Sequence, residues 1–203
     1  MAITFQYNKT SLQLLEKQLK VRVRALPTIK SKESALRMEV KRTKDNFYEL
    51  EKELNQQIKK YEHLSSLWNE FNPALIAVKD VSIDTKKIAG VVLPIFGSIT
   101  FEEQPYSRFN SPIWFADGIS LLKGLAESGI KAEMEQMKLE RLEYARKKTT
   151  QKVNLFEKVQ IPGYSTSIRK IKRYLEDEES LSKSSQKIMR ANLEKALRKE
   201  DVA

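Results

Sequence analysis

Cysteine is absent from the chain, histidine occurs once, at His63, and glycine and proline number six each in 203 residues. Without cysteine there is no disulfide, no thiolate metal site and no thiol redox chemistry. A single histidine leaves no HExxH metal motif and no nucleophile-histidine pairing beyond that one residue, which reads as a helix-surface group beside an apolar seam. Long apolar runs are also missing. The longest, residues 88–99, is interrupted by Gly90, Pro94 and Gly97, so no membrane insertion is expected, and the opening residues lack the basic-then-apolar pattern of a signal segment. Gly118 and Gly124 are wrongly spaced for a phosphate-binding loop, and Lys123 precedes its glycine instead of following it. Acidic pairs such as Glu102-Glu103 and Glu178-Glu179 have no nucleophile or base to work with. The expectation is a chain with no catalytic, cofactor or metal site.

What is present is charge, at 32% of residues, beside 40% apolar residues. That mix, with so few chain-breaking residues, belongs to long helices wetted on most sides. The net charge of +10 is confined to two blocks: residues 17–44 and 141–173 carry +8 each, and the remainder is acidic. Such blocks attract an acidic partner.

Residues 8–72 hold a heptad pattern. One set of positions reads Leu12, Leu19, Leu26, Val40, Phe47, Leu54, Tyr61 and Trp68, with Glu33 the exception. The other reads Leu15, Ile29, Leu36, Leu50, Leu64 and Phe71, interrupted by Arg22, Thr43 and Gln57. A period of 3.5 held this long predicts a left-handed coiled coil, because on a straight helix the stripe would drift by about 20° per heptad. Pro27 lies inside the segment and is expected to bend it.

Asn72-Pro73 ends that arm. Residues 73–118 hold four of the six prolines and three of the six glycines, with β-branched runs at 78–83, 88–93 and 95–101. They predict a small β-hairpin or short sheet. Ser111-Pro112 reads as a helix cap and first position, and a second arm, residues 119–178, carries a looser stripe that includes Val153, Phe156, Ile168, Ile171 and Leu175. Ile161-Pro162-Gly163 is expected to break or kink it. The tail, residues 179–203, is helix-prone, its apolar residues spaced for a frayed or partner-dependent helix.

Two long arms joined by a compact insert pair head to tail. Positions totalling about 191 then lie opposite one another, and the two basic blocks coincide at the end that holds both termini. The expected fold is mainly α: a long antiparallel two-helix left-handed coiled coil with a small β-hairpin insert. A nucleic-acid-binding coiled coil is the rival that charge alone suggests. Phe47, Tyr61, Trp68 and Phe71, however, fall on the seam instead of alternating with cations as a stacking platform requires.

Three stretches carry a family likeness. Residues 149–157, Thr-Thr-Gln-Lys-Val153-Asn154-Leu-Phe-Glu157, followed by Ile161-Pro162 and then Ile168, Ile171, Leu175 and Glu176, resemble the TRRRVNALE…IP…I..I…LEE pattern of the D subunit of V/A-type rotary ATPases. Thr150 and Gln151 stand where that pattern has arginines. Leu12, Leu15, Leu19 and residues 29–36 are similar to that family's opening, and residues 88–94 to its short glycine and proline strand.

The resemblance implies a central rotor stalk without a catalytic site of its own, cytoplasmic and peripheral to the membrane. Its tip would sit in the hexamer of catalytic and non-catalytic subunits A and B, and its lower part would bind the F subunit and a funnel-shaped subunit leading to the membrane ring. On that reading Arg22, Arg24, Lys30, Lys32, Arg146, Lys147, Lys148, Lys152, Arg169, Lys170, Lys172 and Arg173 form a hexamer-facing basic tip. No cofactor and no nucleic-acid partner is expected.

Overall fold

The computed structural model describes residues 3–62, 67–107, 109 and 111–200, the side chains of 195–200 excepted. His63 and Leu64 lie outside the described residues. The chain is mainly helical with one two-stranded antiparallel sheet. In order come helix α1 (Lys9–Tyr61), short 3-10 turns at Leu67–Glu70 and Pro73–Leu75, strands β1 (Ile76–Ile88) and β2 (Val91–Glu103), helix α2 (Phe115–Asn154), a π-helical segment Leu155–Gln160, and helix α3 (Ile161–Glu200). The chain divides into two compact units, residues 1–31 with 150–203, and residues 32–149.

Helix α1 starts where Asn8 Oδ1 accepts the Ser11 N–H at 2.7 Å, an N-cap that satisfies one of the free amides of the first turn. From Leu12 to Gln57 every position of both heptad sets is buried or half-buried, including the non-apolar Arg22, Glu33, Thr43 and Gln57. The helix runs on through Pro27, which leaves the Val23 carbonyl without its usual donor. It stops at Tyr61, well short of Asn72. Trp68 therefore leaves the helical seam. It packs with Phe71, Trp114 and Phe115 in an aromatic cluster, whose burial outweighs continuing the helix. Asn72 Oδ1 accepts the Ala74 N–H at 3.0 Å and caps the following turn.

The β-hairpin turns at Ala89-Gly90, inside a run that reads as a strand from composition. Both residues have positive φ, +48° and +81°, as a two-residue type I′ turn requires. Glycine adopts this freely; for Ala89 the Cβ costs about 1–2 kcal/mol, offset in part by packing against Leu36, Val40, Leu93 and Leu142. Pro94, opposite Thr85, is tolerated because a two-stranded ribbon has only edges. Gly97 faces the irregularity between Val81 and Ile83, where a Cβ would come 3.0 Å from the Ser82 carbonyl oxygen.

Strand β2 runs beside α2 in the opposite sense. Arg141 Nη1 donates to the Val92 carbonyl at 3.5 Å, the Lys131 ammonium lies 5.2 Å over the Phe96 ring, and Lys123 pairs with Glu103 at 2.5 Å. Helix α2 begins at Phe115, three residues after Pro112, whose carbonyl accepts the Phe115 N–H; Ser111 is not its cap.

Pro162 does not break the second arm, which stays helical from Phe115 to Glu200. The six residues before α3 adopt π geometry instead, with the Ile161 N–H donating to the Phe156 carbonyl. Inward positions here are Phe156, Gln160, Tyr164 and Ile168, four residues apart three times running. That spacing carries an extra residue relative to a heptad, and the wider π turn absorbs it. The tail continues α3, and its Leu181, Ile188, Met189 and Leu193 are exposed.

Candidate interaction surface

In the first unit Leu15, Tyr164, Ile168 and Ile171 are buried, with Leu12, Leu19 and Leu175 against them. Polar links between α1 and the second arm run in opposite directions: Glu16 with Lys172 at 2.8 Å, Gln18 with Tyr164, Arg22 with Gln160, and Lys30 with Glu157 at 2.7 Å. The pairing is antiparallel, offset by a few residues from the expected register. Leu26, Ile29, Val153 and Phe156 are half-buried along it, while Asn154, Glu157 and Pro162 are exposed. Thus of the residues carrying the family likeness, Glu157 has a defined partner in Lys30, and Val153 faces inward.

The cations selected from sequence differ in their surroundings. Arg24, Arg169, Lys170 and Arg173 in the first unit, and Lys32, Lys147 and Lys148 in the second, are exposed. Arg22, Lys30 and Lys172 are engaged within the chain. Arg146 is half-buried, Lys148 lies 5.5 Å over the Tyr144 ring, and Lys152 lies 5.9 Å over Phe156. Lys32 lies against the hairpin turn, its Nζ 3.3 Å from where a Cβ on Gly90 would stand.

The second unit offers a different surface. Phe71, Leu75, Phe115 and Ile119 are buried, and Trp68 and Trp114 cover them. Beside them lies an apolar groove of about 560 Å³, lined by Trp68, Phe71, Pro73, Ile76, Ala77, Val78, Phe101, Leu122 and Ala126. A second cleft of about 720 Å³ runs between Gln57, Lys60 and Tyr61 of α1 and the Gly118, Leu121 and Gly124 face of α2. Gly118 leaves room there for the Trp114 ring, which would stand 3.0 Å from a Cβ and would have to shift by a few tenths of an ångström. Phe109 and Ile113 are fully exposed nearby in the sequence. These aromatic residues were legible only as seam or loop residues, because their clustering depends on α1 ending early. Phe47, Leu50 and Leu54 remain half-buried on α1, and Leu36 and Val40 are buried under the hairpin.

Among the described residues no group of three or more His, Asp or Glu is arranged to hold a metal ion, and no helix is long and apolar enough to cross a membrane. The carboxyl of exposed Glu179 is held below the usual range by its hydrogen bond to Lys183 and then by that ammonium's charge. The arrangement can present cations and aromatic faces to other macromolecules.

The class that this fold defines is a mainly helical protein of long helices with one two-stranded antiparallel hairpin. Within that class the chain belongs to the ATP synthase D-subunit family, whose sequence model matches residues 11–191. It is 35% identical over 190 residues to the V-type ATP synthase D subunit of Borreliella burgdorferi, covering 91% of this chain and 93% of that protein. The protein of the same name from Chlamydia pneumoniae is 30% identical over 186 residues, 87% of each chain. That of Chlamydia muridarum is 28% identical over 182 residues, 87% of this chain and 90% of the relative.

Proposed function

We propose that this chain is the central rotor shaft of a V-type rotary ATPase, a non-catalytic component that couples ATP turnover in a catalytic hexamer to ion translocation through a membrane ring. The observation that carries this reading is the antiparallel pairing of α1 with α3 in the unit that holds both termini, with Arg24, Arg169, Lys170 and Arg173 exposed upon it. A two-helix coiled coil formed by the arms of 8–72 and 119–178, with the insert of 73–118 and the tail of 179–203, is the architecture that suits the role. A shaft without threefold symmetry meets three equivalent catalytic interfaces differently, so each favours a different nucleotide state, and turning the shaft exchanges them.

On this reading the exposed cations of both units, with Arg146, Lys148 and Lys152, face acidic linings of the hexamer of subunits A and B. They set orientation and register more than affinity. The aromatic cluster around Trp68 and Trp114 seats the funnel-shaped subunit, and the F subunit binds the side of the shaft. The complex places the chain in the cytoplasm, peripheral to the membrane.

The test is assembly. Purified chain is expected to join the hexamer and the F subunit in fixed stoichiometry, and reversal of Arg24, Arg169, Lys170 and Arg173 to glutamate is expected to weaken hexamer binding and flatten its salt dependence. Unaltered binding by the reversed chain would sink the electrostatic assignment, and failure to join the hexamer at all would sink the rotor. The F subunit at saturation, by binding only the folded form, is expected to raise the melting midpoint, by about 2.7 kcal/mol of stability at a hundredfold excess over Kd.

A further inference from the structure

The apolar stripe of the first unit contains one charged side chain. Arg22 occupies a seam position between Leu15 and Ile29 and is half-buried. Its Nε donates to Gln160 Oε1 at 2.7 Å and its Nη1 to the Gln18 carbonyl at 3.1 Å. Its guanidinium lies 4.6 Å over the ring of Tyr164, whose hydroxyl is 2.8 Å from Gln18 Oε1. Arg22 Nη1 also lies 3.4 Å from Gln18 Oε1, so Gln18, Arg22 and Tyr164 close a ring of contacts that Gln160 joins through Arg22, two of the four side chains coming from each arm.

The aliphatic residues around it discriminate far less. Leucines and isoleucines repeating every three and four residues meet other aliphatics again after a slip of one heptad, about 10 Å along the axis. Such a slip would carry the Arg22 guanidinium toward Val153 and Phe156 in one direction, or toward Ile168 and Ile171 in the other. Either way Gln160 and Tyr164 would lose it. The flanking pairs Lys30 with Glu157 and Lys172 with Glu16 are about half exposed on both sides and screened by solvent, so they select weakly.

We infer that Gln18, Arg22, Gln160 and Tyr164 form a register lock: a polar ring whose contribution is to fix the alignment of α1 against the second arm, with little net stability. The π-helical segment serves the same end, because its extra residue brings Gln160 and Tyr164, four apart, onto the side that faces α1. The inference concerns the pairing of the chain with itself and does not depend on the rotor reading.

Because the chain is free of cysteine, spin labels can be placed at Gln13→Cys and Thr166→Cys, exposed positions outside the ring. In the otherwise unaltered chain one narrow inter-label distance is expected. Replacing the ring by apolar groups of similar size, with Gln18→Leu, Arg22→Met, Gln160→Leu and Tyr164→Phe together, is expected to keep the helix content and split the distances into two or more populations. A single unshifted narrow distance in that folded variant overturns the proposal. Should the quadruple variant fail to fold, Gln160→Met alone decides in the same way. A split or broadened distribution that Gln160→Glu, which keeps an acceptor for Arg22, does not show supports the lock. A single narrow distance in Gln160→Met, whatever its melting midpoint, reduces the ring to a packing element and overturns it.

Discussion

The two units solve the packing of helices differently. In the first, two helices meet with Ile3 and Phe5 of the leading segment against them, and the buried set of Leu15, Tyr164, Ile168 and Ile171 is threaded with polar contacts. In the second, the hairpin adds a third layer, and Leu93 closes over Leu36, Val40 and Leu142 in an apolar cluster. A pair of helices buries a narrow stripe that many alignments fill equally well, so polar groups must choose among them. A third element supplies shape, and shape chooses for itself.

Opening a cavity in each core separates the two modes of packing. Leu142 is fully buried beneath the hairpin, and Leu142→Ala is expected to cost about 4 kcal/mol because three surrounding layers cannot collapse together. Leu15→Ala, in the two-helix unit, is expected to cost about 2–3 kcal/mol. Denaturant unfolding of both measures the difference, and a larger loss at Leu15 would reverse the argument. Gly90→Ala tests whether the third layer depends on its turn. A Cβ there at φ +81° is strained and crowds Lys32, and a loss of about 1–2 kcal/mol is expected.

Smaller effects sharpen the picture along α2. Nothing lies within 4 Å of a Cβ built on Gly124 or Gly129, so alanine at either is expected to add about 0.5–1 kcal/mol of helix stability. Gly118→Ala meets the Trp114 ring at 3.0 Å and is expected to show no such gain. Thermal melts of the three variants separate open helix surface from the packed aromatic end. In the two-helix unit, Lys30→Ala removes an ion pair that is about half exposed, and less than about 0.5 kcal/mol should be lost.

The smallest expected effect belongs to Glu179. Its carboxyl is held low by Lys183, so the contribution is complete above the unfolded carboxylate's pKa and disappears as pH falls through the lower folded value. Glu179→Gln should therefore differ slightly in helix content from the unaltered chain at neutral pH and match it in strong acid.

Much of the fold was legible because periodicity reports burial directly. Both heptad sets of α1 face inward from Leu12 to Gln57, and even the exceptions, Arg22 and Thr43, follow the period. The hairpin followed from proline, glycine and β-branched composition. Its turn did not, since Ala89 has none of the chemistry that marks a left-handed position. The end of α1 was obscured because Trp68 and Phe71 continue the heptad spacing, though they pack in a cluster with residues more than forty positions later. At Pro162 the missing amide was readable and the response was not: a chain can answer it with a kink or with π geometry, and the run of spacings by four was the signal that told them apart. Arg22 looked like an interruption of the seam or a free surface cation. A charge at a seam position asks for a partner on the opposite arm, and Gln160 supplies it.

The antiparallel pairing also sets a problem of timing. Gln18 and Tyr164 are separated by 146 positions in the chain, whereas the hairpin closes across two. Local closure is fast and distant closure slow, so during synthesis the ribbon can zip while the leucine stripe of the opening helix waits for an arm still to be made. Until α3 leaves the ribosome that stripe is open to other chains, and the interval before its partner arrives is when the protein is most exposed to aggregation.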